Sequence, residues 1–256
     1  MKIISLITYL FLFASISYGD DQLNVKVPDT VEYELEGSVK QVSQTTKKQI
    51  LVGSRKSSTS FELRTYDSKG NRLIQEKKDQ DGQVIKRVEY VYDDGRFVEE
   101  IAEDFKKGTT EKLKVIIDAP QRVIIKENTE TKEKKVTLYS EAGFEMKIRE
   151  LGANGEATRS SEFKRLKDNK EYKLTFYDAD KKRESTISIW WNRDGTKKKT
   201  KIENHIKDYV FTTEYEYKQI DDIGNWLERI EHTTLTEKGK AIDFSTNVVS
   251  REIEYY

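Results

Sequence analysis

The chain has 256 residues, with 46 basic and 46 acidic side chains and no cysteine. Balanced charge gives no general attraction to nucleic acid or anionic membrane, and the lack of Cys excludes disulfides, thiol catalysis and most structural zinc sites. Charged residues make up 36% and hydrophobic ones 35%, a ratio that borders on disorder, but the apolar residues are Tyr, Phe, Ile, Val and Trp set in alternation, the habit of half-buried strands.

Residues 1–19 differ from the rest. Lys2 precedes an apolar run from Ile3 to Ile16, and Ser17-Tyr18-Gly19 follow with small residues where a signal peptidase reads. The run is shorter than the roughly 20 residues of a membrane-spanning helix. The expectation is a helical signal peptide over 1–19 and a processed chain beginning near Asp20, exported to the periplasm or beyond the cell of a bacterium and no longer membrane-spanning. Residues 20–32 read as an N-terminal arm, with Pro28 unfit for a central strand.

From Tyr33 to Tyr256 the pattern is one of repeated hairpins. Turn signals fall at Gly70, Gly82, Gly95, Gly108, Ala119-Pro120, near Glu130, at Gly143, Gly155, Asp168-Asn169, Asp180, Gly195, near Asp208, at Asp222 to Gly224 and at Gly239. Gly supplies positive φ, and the neighbouring Asp or Asn bonds its own backbone. Between turns the period is two: Val84, Lys86, Val88, Tyr90 and Tyr92 share a face, and Leu113, Val115 and Ile117 share another. So do Tyr172, Leu174 and Phe176, and Ile187, Ile189 and Trp191. The same count puts Phe97 with Glu99 and Ile101, and Trp226 with Glu228 and Ile230. The fold class expected is all-β, an extended antiparallel meander of a dozen or more strands forming one repeat domain over 33–256. Its apolar face needs cover, by curling, by a second layer, by closing as a barrel or by a partner.

Tyr66-Asp67-x-x-Gly70-Asn71 resembles the core of a YD repeat of the RHS type. Tyr92-Asp93-x-Gly95 and Tyr177-Asp178 are partial copies. Tyr215-x-Tyr217, Gly224-Asn225-Trp226-Leu227-Glu228-Arg229-Ile230 and the last residues, Arg251 to Tyr256, are similar to closing phrases of small secreted RHS-like bacterial proteins, and Leu35 to Lys40 to their opening. The resemblance implies a curled or spiralling sheet of hairpins. In large RHS proteins such a sheet makes a shell around a toxin. This chain is too short for a shell and shows no toxin domain, so the resemblance implies a small envelope protein of uncharacterised role.

No catalytic constellation stands out, and the expectation is a protein that is not an enzyme and holds no cofactor or metal. His205 and His232 are 27 residues apart and read as polar strand residues. Asp79-x-Asp81-Gly82 and Asp221-Asp222-x-Gly224-Asn225 have calcium-loop chemistry in miniature but lack the distal Glu of the full pattern, and read as turns. Lys197-Lys198-Lys199-Thr200-Lys201 is the one basic run, diluted by Asp194 and Glu203. Trp190, Trp191, Trp226, Tyr215 and Tyr217 form the candidate interaction surface. Trp190 and Trp191 are adjacent and therefore face opposite ways.

The reading preferred from sequence is a non-enzymatic envelope module whose sheet surface or edge binds an unidentified protein or glycan. The alternative is a carrier of lipid or another hydrophobic ligand in the periplasm. An outer-membrane barrel is a further rival, opposed by Glu252 and Glu254 beside Tyr256 and by the missing apolar face of 158–166 and 197–201. A hydrolase comes last, because 46 acids make carboxylate pairs inevitable and uninformative.

Overall fold

The structure, a computed structural model, describes residues 35, 37–50, 58–118, 121–139, 145–166, 171–194 and 196–256. The signal peptide expected over 1–19 and the arm over 20–32 lie outside the described residues. Sixteen strands follow in order: β1 (Val39–Ile50), β2 (Ser58–Tyr66), β3 (Arg72–Lys78), β4 (Val84–Asp93), β5 (Arg96–Asp104), β6 (Thr109–Asp118), β7 (Val123–Asn128), β8 (Lys134–Tyr139), β9 (Glu145–Leu151), β10 (Ala157–Leu166), β11 (Glu171–Asp178), β12 (Arg183–Trp191), β13 (Lys197–Asn204), β14 (Tyr209–Ile220), β15 (Trp226–Glu237) and β16 (Lys240–Tyr255). Among the described residues, turns fall at Gly70, Gly82, Gly95, Gly108, Gly155, Gly224 and Gly239 as the sequence marks them, while the turns expected at Ala119-Pro120, Gly143, Asp168-Asn169 and Gly195 fall on residues outside the described ones.

Every strand pairs antiparallel with its sequence neighbours, and β1 pairs with β16 in the register Val42↔Ile253, Thr45↔Ser250 and Lys47↔Val248. The meander is therefore a closed barrel and not the open curled or spiralling sheet expected from sequence. Closure settles two problems at once. It pairs the two edges that an open sheet would leave exposed, and it turns one face of every strand away from bulk water.

The enclosed face can be followed round the barrel through the ladders. Val42 pairs with Arg64, Tyr90 with Glu100, Glu100 with Leu113 and Ile117 with Ile124. Ile148 pairs with Ser161, Leu174 with Ile187, Ile187 with Ile202 and Arg229 with Val249. This face holds both buried apolar clusters. One comprises Tyr90, Phe97, Val115, Ile124 and Tyr139; the other comprises Leu35, Val39 and Val42, with Tyr66, Ile253 and Tyr255 against them. Sixteen strands at ~4.8 Å spacing give a circumference of at least roughly 75 Å, too large for side chains to fill as they fill an eight-stranded barrel. Among the strands only ladder neighbours bring Cα atoms within 8 Å of each other, so opposite walls stand apart across the enclosed space, the lumen.

Many hairpins carry a bulge just after the turn. Val91 pairs with Glu99 but Tyr92 with Phe97, so Val98 is the extra residue; Gln219 pairs with Glu228 but Ile220 with Trp226, so Leu227 is extra. A bulge shifts side-chain parity by one. Phe97 and Trp226 consequently face the lumen with Glu100 and Arg229, while Glu99, Ile101, Glu228 and Ile230 face out. This corrects the faces expected from uninterrupted alternation. Bulge residues such as Leu73 and Ile242 are exposed apolar side chains for the same reason.

Candidate functional site

Strands of a meander run alternately up and down, so every second turn lies at the same end of the barrel. The turns at 67–71, 94–95, 192–196 and 221–225 share one end. The turns at 79–83, 105–108, 129–133, 152–156, 179–182, 205–208 and 238–239 share the other. The lumen differs between these ends.

Near the first end it is lined by rings: Tyr66, Tyr90, Tyr92, Phe97, Tyr139, Tyr172, Trp191, Tyr215, Tyr217 and Trp226, with Val115, Ile117 and Ile124 between them. Phe97 packs obliquely on Tyr90 and Tyr92 at 5.9 and 5.6 Å, and Tyr172 meets Trp191 edge-on at 6.0 Å. The cations of this end lie against ring faces. Arg72 covers Tyr90 at 4.7 Å, and Arg251 and Arg229 cover Trp226 at 3.5 and 4.2 Å. Each has a polar anchor as well: Arg251 donates to Gln44 at 3.1 Å and Arg229 to Glu231 at 2.7 Å. A charge held in this way is partly neutralised by the ring and the carboxylate.

The aromatic end is also where the closing strands are pinned. Asp221 Oδ1 accepts the N–H groups of Ile223, Gly224 and Asn225, and Oδ2 accepts the phenol of Tyr255. The Asn225 amide donates to the same phenol at 2.7 Å and is fully buried. Burial alone would raise the Asp221 carboxyl; the donors from Tyr255 and the backbone outweigh it and hold the carboxyl below its ordinary value. Burial and the bond to Asp221 push the Tyr255 phenol up to about 12. Gly37, at φ +81°, passes so close to this turn that a Cβ there would meet Ile223 Cγ2 at 3.2 Å. The turn at 67–71 repeats the device, with Asp67 accepting the N–H groups of Lys69 and Asn71 and the Asn71 amide.

Toward the second end, along the arc from β3 to β10, the lumen is lined by Lys77, Lys86, Asp104, Glu111, Lys126, Lys135, Glu150 and Arg159. Lys126 bridges to the buried Glu100 at 2.6 Å, and Arg159 to Glu184 at 2.7 Å. A recess of 350 Å³ opens here between β6 and β11, with Leu113, Ile148 and Phe176 as its apolar wall.

The outer face is charged at mid-strand. Lys112 and Lys114 on β6, Glu162 and Lys164 on β10, Lys199 and Lys201 on β13 and Glu214 and Glu216 on β14 all point away from the lumen. An apolar patch, Ile116, Ile125, Val136 and Leu138, interrupts it on β6–β8 and is bounded by Lys114, Glu127, Lys134 and Lys147. Thr186 and Ser188, also outward, are covered by longer neighbours, among them His205, whose Nε2 meets Thr186 Oγ1 at 2.9 Å.

No family model matches the chain, and no curated protein matches it. Among solved structures it is similar to a porin-like protein from Bacteroides uniformis (TM-score 0.41, 12% identity, covering 84% of this chain and 96% of that one). It is similar also to a LolA superfamily protein from Nitrosomonas europaea (TM-score 0.36, 10% identity, 89% and 90%) and to a DUF1329 family protein from Desulfovibrio piger (TM-score 0.32, 10% identity, 89% and 88%). Likenesses this distant carry no function across. None of these proteins is described as an RHS or YD-repeat protein. With the barrel closed, the resemblance to that family is overturned: Tyr66-Asp67-x-x-Gly70-Asn71 is a hairpin turn whose Asp caps its own backbone, a solution any β-hairpin can use.

The five aromatics singled out in the sequence are distributed as follows. Trp191, Trp226, Tyr215 and Tyr217 face the lumen at its aromatic end, and Trp190 pairs with Lys199 on the outer face. Trp226 is only 1% exposed. Tyr215 donates to Thr200 at 3.1 Å, and the Tyr217 oxygen accepts the N–H of Lys197 at 2.9 Å. The basic run at 197–201 is divided between faces: Lys197 lies over Trp191, while Lys199 and Lys201 pair with Glu214 and Glu203 outside. The Asp79 carboxylate accepts the N–H groups of Asp81 and Gln83, as a turn acid does. His232 meets Thr246 at 3.4 Å on a strand away from His205. No group of three or more His, Asp or Glu is placed to hold a metal ion among the described residues.

Proposed function

We propose that the protein is a carrier of a lipid or another hydrophobic ligand, exported to the cell envelope and working in water. The observation that carries this reading is the inversion of the barrel. Rings and aliphatic side chains line the enclosed face, and Lys and Glu occupy mid-strand positions on the outer face. A membrane-spanning barrel needs the reverse, an apolar outer band about 25 Å tall, and each Lys placed at the bilayer midplane would cost about 2–4 kcal/mol. The outer apolar patch on β6–β8 is too narrow to supply that band. Separately, no helix among the described residues is long and apolar enough to cross a membrane.

Closure also weighs against an interaction module that works by adding a strand to a free edge, because β1 and β16 occupy each other's edge. A lumen with an apolar lining and a few polar groups is the usual composition of a small-molecule site. The test is titration of the exported, processed protein with N-phenyl-1-naphthylamine, a dye that brightens in apolar surroundings. Saturable binding, reversed by a competing long-chain fatty acid or lysophospholipid, is expected. Absence of saturable binding would remove the carrier reading.

A further inference from the structure

Two hairpin turns at the charged end break the polar habit of the others. Among the described residues, the turns at 79–83, 129–133, 152–156, 179–182 and 238–239 hold no apolar side chain larger than Ala. The β5–β6 turn carries Phe105 and the β13–β14 turn carries Ile206, which are 51% and 68% exposed. Neither residue type is a turn former, and neither side chain belongs to a buried cluster.

The two turns are one structure built twice. Phe105 and His205, the first residue of each, donate their N–H to the neighbouring strand, to the Ile85 carbonyl at 3.1 Å and the Glu184 carbonyl at 2.9 Å. The side-chain oxygens of Asp104 and Asn204 accept the N–H of Lys107 at 3.1 Å and of Lys207 at 2.8 Å. Gly108 and Asp208 end the turns at φ 64° and 53°. Each tip is thereby held stiff. Lysines lead at both: Lys106 and Lys107 stand beside Asp104, and Lys207 and Lys238 beside Asp208, whose carbonyl accepts the Lys238 N–H at 3.1 Å. The tips are also opposed. Eight strands separate β5–β6 from β13–β14 in a closed ring of sixteen, so Phe105 and Ile206 lie on opposite sides of one mouth. A ring of this circumference is at least roughly 24 Å across. At the aromatic end the exposed turn residue Ile223 instead follows Asp221 and Asp222 and lies close to Gly37.

We propose that the charged end docks on a bilayer containing anionic phospholipid, with Phe105 and Ile206 entering the interface and the lysines beside them meeting the headgroups. A protein partner is usually met by a contiguous apolar patch with a polar rim. Two single apolar side chains on opposite sides of a ring, with polar turns between, suit a surface that is flat and laterally uniform. The chain's balanced net charge supplies no pull of its own, so the apolar tips and their local lysines act together. This docking goes beyond the carrier reading and is independent of it, because dye binding in the lumen and vesicle binding at the mouth are measured separately.

The test is flotation of the exported, processed protein with vesicles of phosphatidylethanolamine and phosphatidylglycerol. Binding is expected, and is expected to fall at least about tenfold on vesicles of phosphatidylcholine alone. It is expected to fall at least about tenfold in Phe105→Ser/Ile206→Ser, with the melting temperature unchanged because both side chains are exposed. Leu73→Ser/Ile220→Ser, which removes exposed apolar side chains at the opposite end, is expected to bind like the native protein. Orientation is read with both tips intact. The chain has no cysteine, so Lys106→Cys and Lys69→Cys each give a unique site for an environment-sensitive nitrobenzoxadiazole label. The label is expected to brighten on the anionic vesicles at 106 and not at 69. No binding to the anionic vesicles, which would return the tips to a protein partner, would overturn the docking. So would equal binding to both lipids, native binding by the tip variant, or a label that brightens more at 69 than at 106.

Discussion

The two ends of the barrel are built from the same hairpins and hold together differently. At the aromatic end, rings, guanidinium groups and buried amides interlock: Trp226 lies under Arg229 and Arg251, and Asn225 and Asp221 hold Tyr255. At the charged end, the buried Glu100–Lys126 pair apart, lysines and glutamates line the wall in partly solvated pairs, which contribute little each. Stability is therefore concentrated where the barrel closes.

The largest expected effect of breaking this contrast is at Trp226. Trp226→Ala removes a fully buried ring and leaves two guanidinium groups without their platform; a loss of about 3–5 kcal/mol is expected, read by urea unfolding. Lys135→Ala at the other end is the matched control, with a loss below about 0.5 kcal/mol expected from a partly solvated side chain. Equal losses at both would erase the distinction.

Glu100 tests the boundary between the ends. It is 1% exposed and is paired with Lys126. Glu100→Ala leaves that ammonium buried and unpaired, with an expected loss of about 3 kcal/mol or more, while the double variant Glu100→Ala/Lys126→Met is expected to recover most of it. A double variant as unstable as the single one would show that the pair is not what matters there.

The smallest expected effect is a pH dependence from the Asp221–Tyr255 contact at the aromatic end. The folded Tyr255 phenol keeps its proton to about 12, whereas an unfolded one releases it near 10.0. Between those values the folded state binds more protons, so stability falls as pH rises through that window. Asp221 acts in the opposite sense. Its folded carboxyl is held below its ordinary value, so stability falls as pH drops from the usual carboxylate range toward the folded value. Tyr255→Phe is expected to abolish the alkaline slope and weaken the acid one, seen in melting temperature against pH.

Much of the fold can be read from the residues. Gly70, Gly82, Gly95, Gly155 and Gly239 mark real turns, and Leu113-x-Val115-x-Ile117 and Tyr172-x-Leu174-x-Phe176 face the enclosed side as alternation predicts. Closure is not legible, because whether Val42 finds Ile253 depends on twist summed over fourteen intervening strands and on no local signal. Alternation alone gives Phe97 and Trp226 the wrong companions, because a bulge inserts one residue without altering composition. The site was half legible. Tyr90, Tyr92 and Phe97 surround one turn, Lys77 and Lys86 the turn before it, and Asp104 and Glu111 the turn after it. Rings and charges thus alternate from turn to turn, which becomes a polarity gradient only once the strands are known to run up and down one wall.

The β1–β16 ladder has a kinetic consequence. Each of the other fifteen ladders joins strands adjacent in sequence and can form locally, in the order the chain is delivered. The last one joins segments about two hundred residues apart, and its loop-closure entropy is met only at the end. Until then the chain is an incomplete sheet with two bare edges and an uncovered apolar face, the form most open to aggregation and to capture by chaperones. The pinning of Tyr255 by Asp221 and Asn225, with Gly37 passing close by, acts at that seam. A contact that forms only when the final strand docks holds the seam shut and slows its reopening.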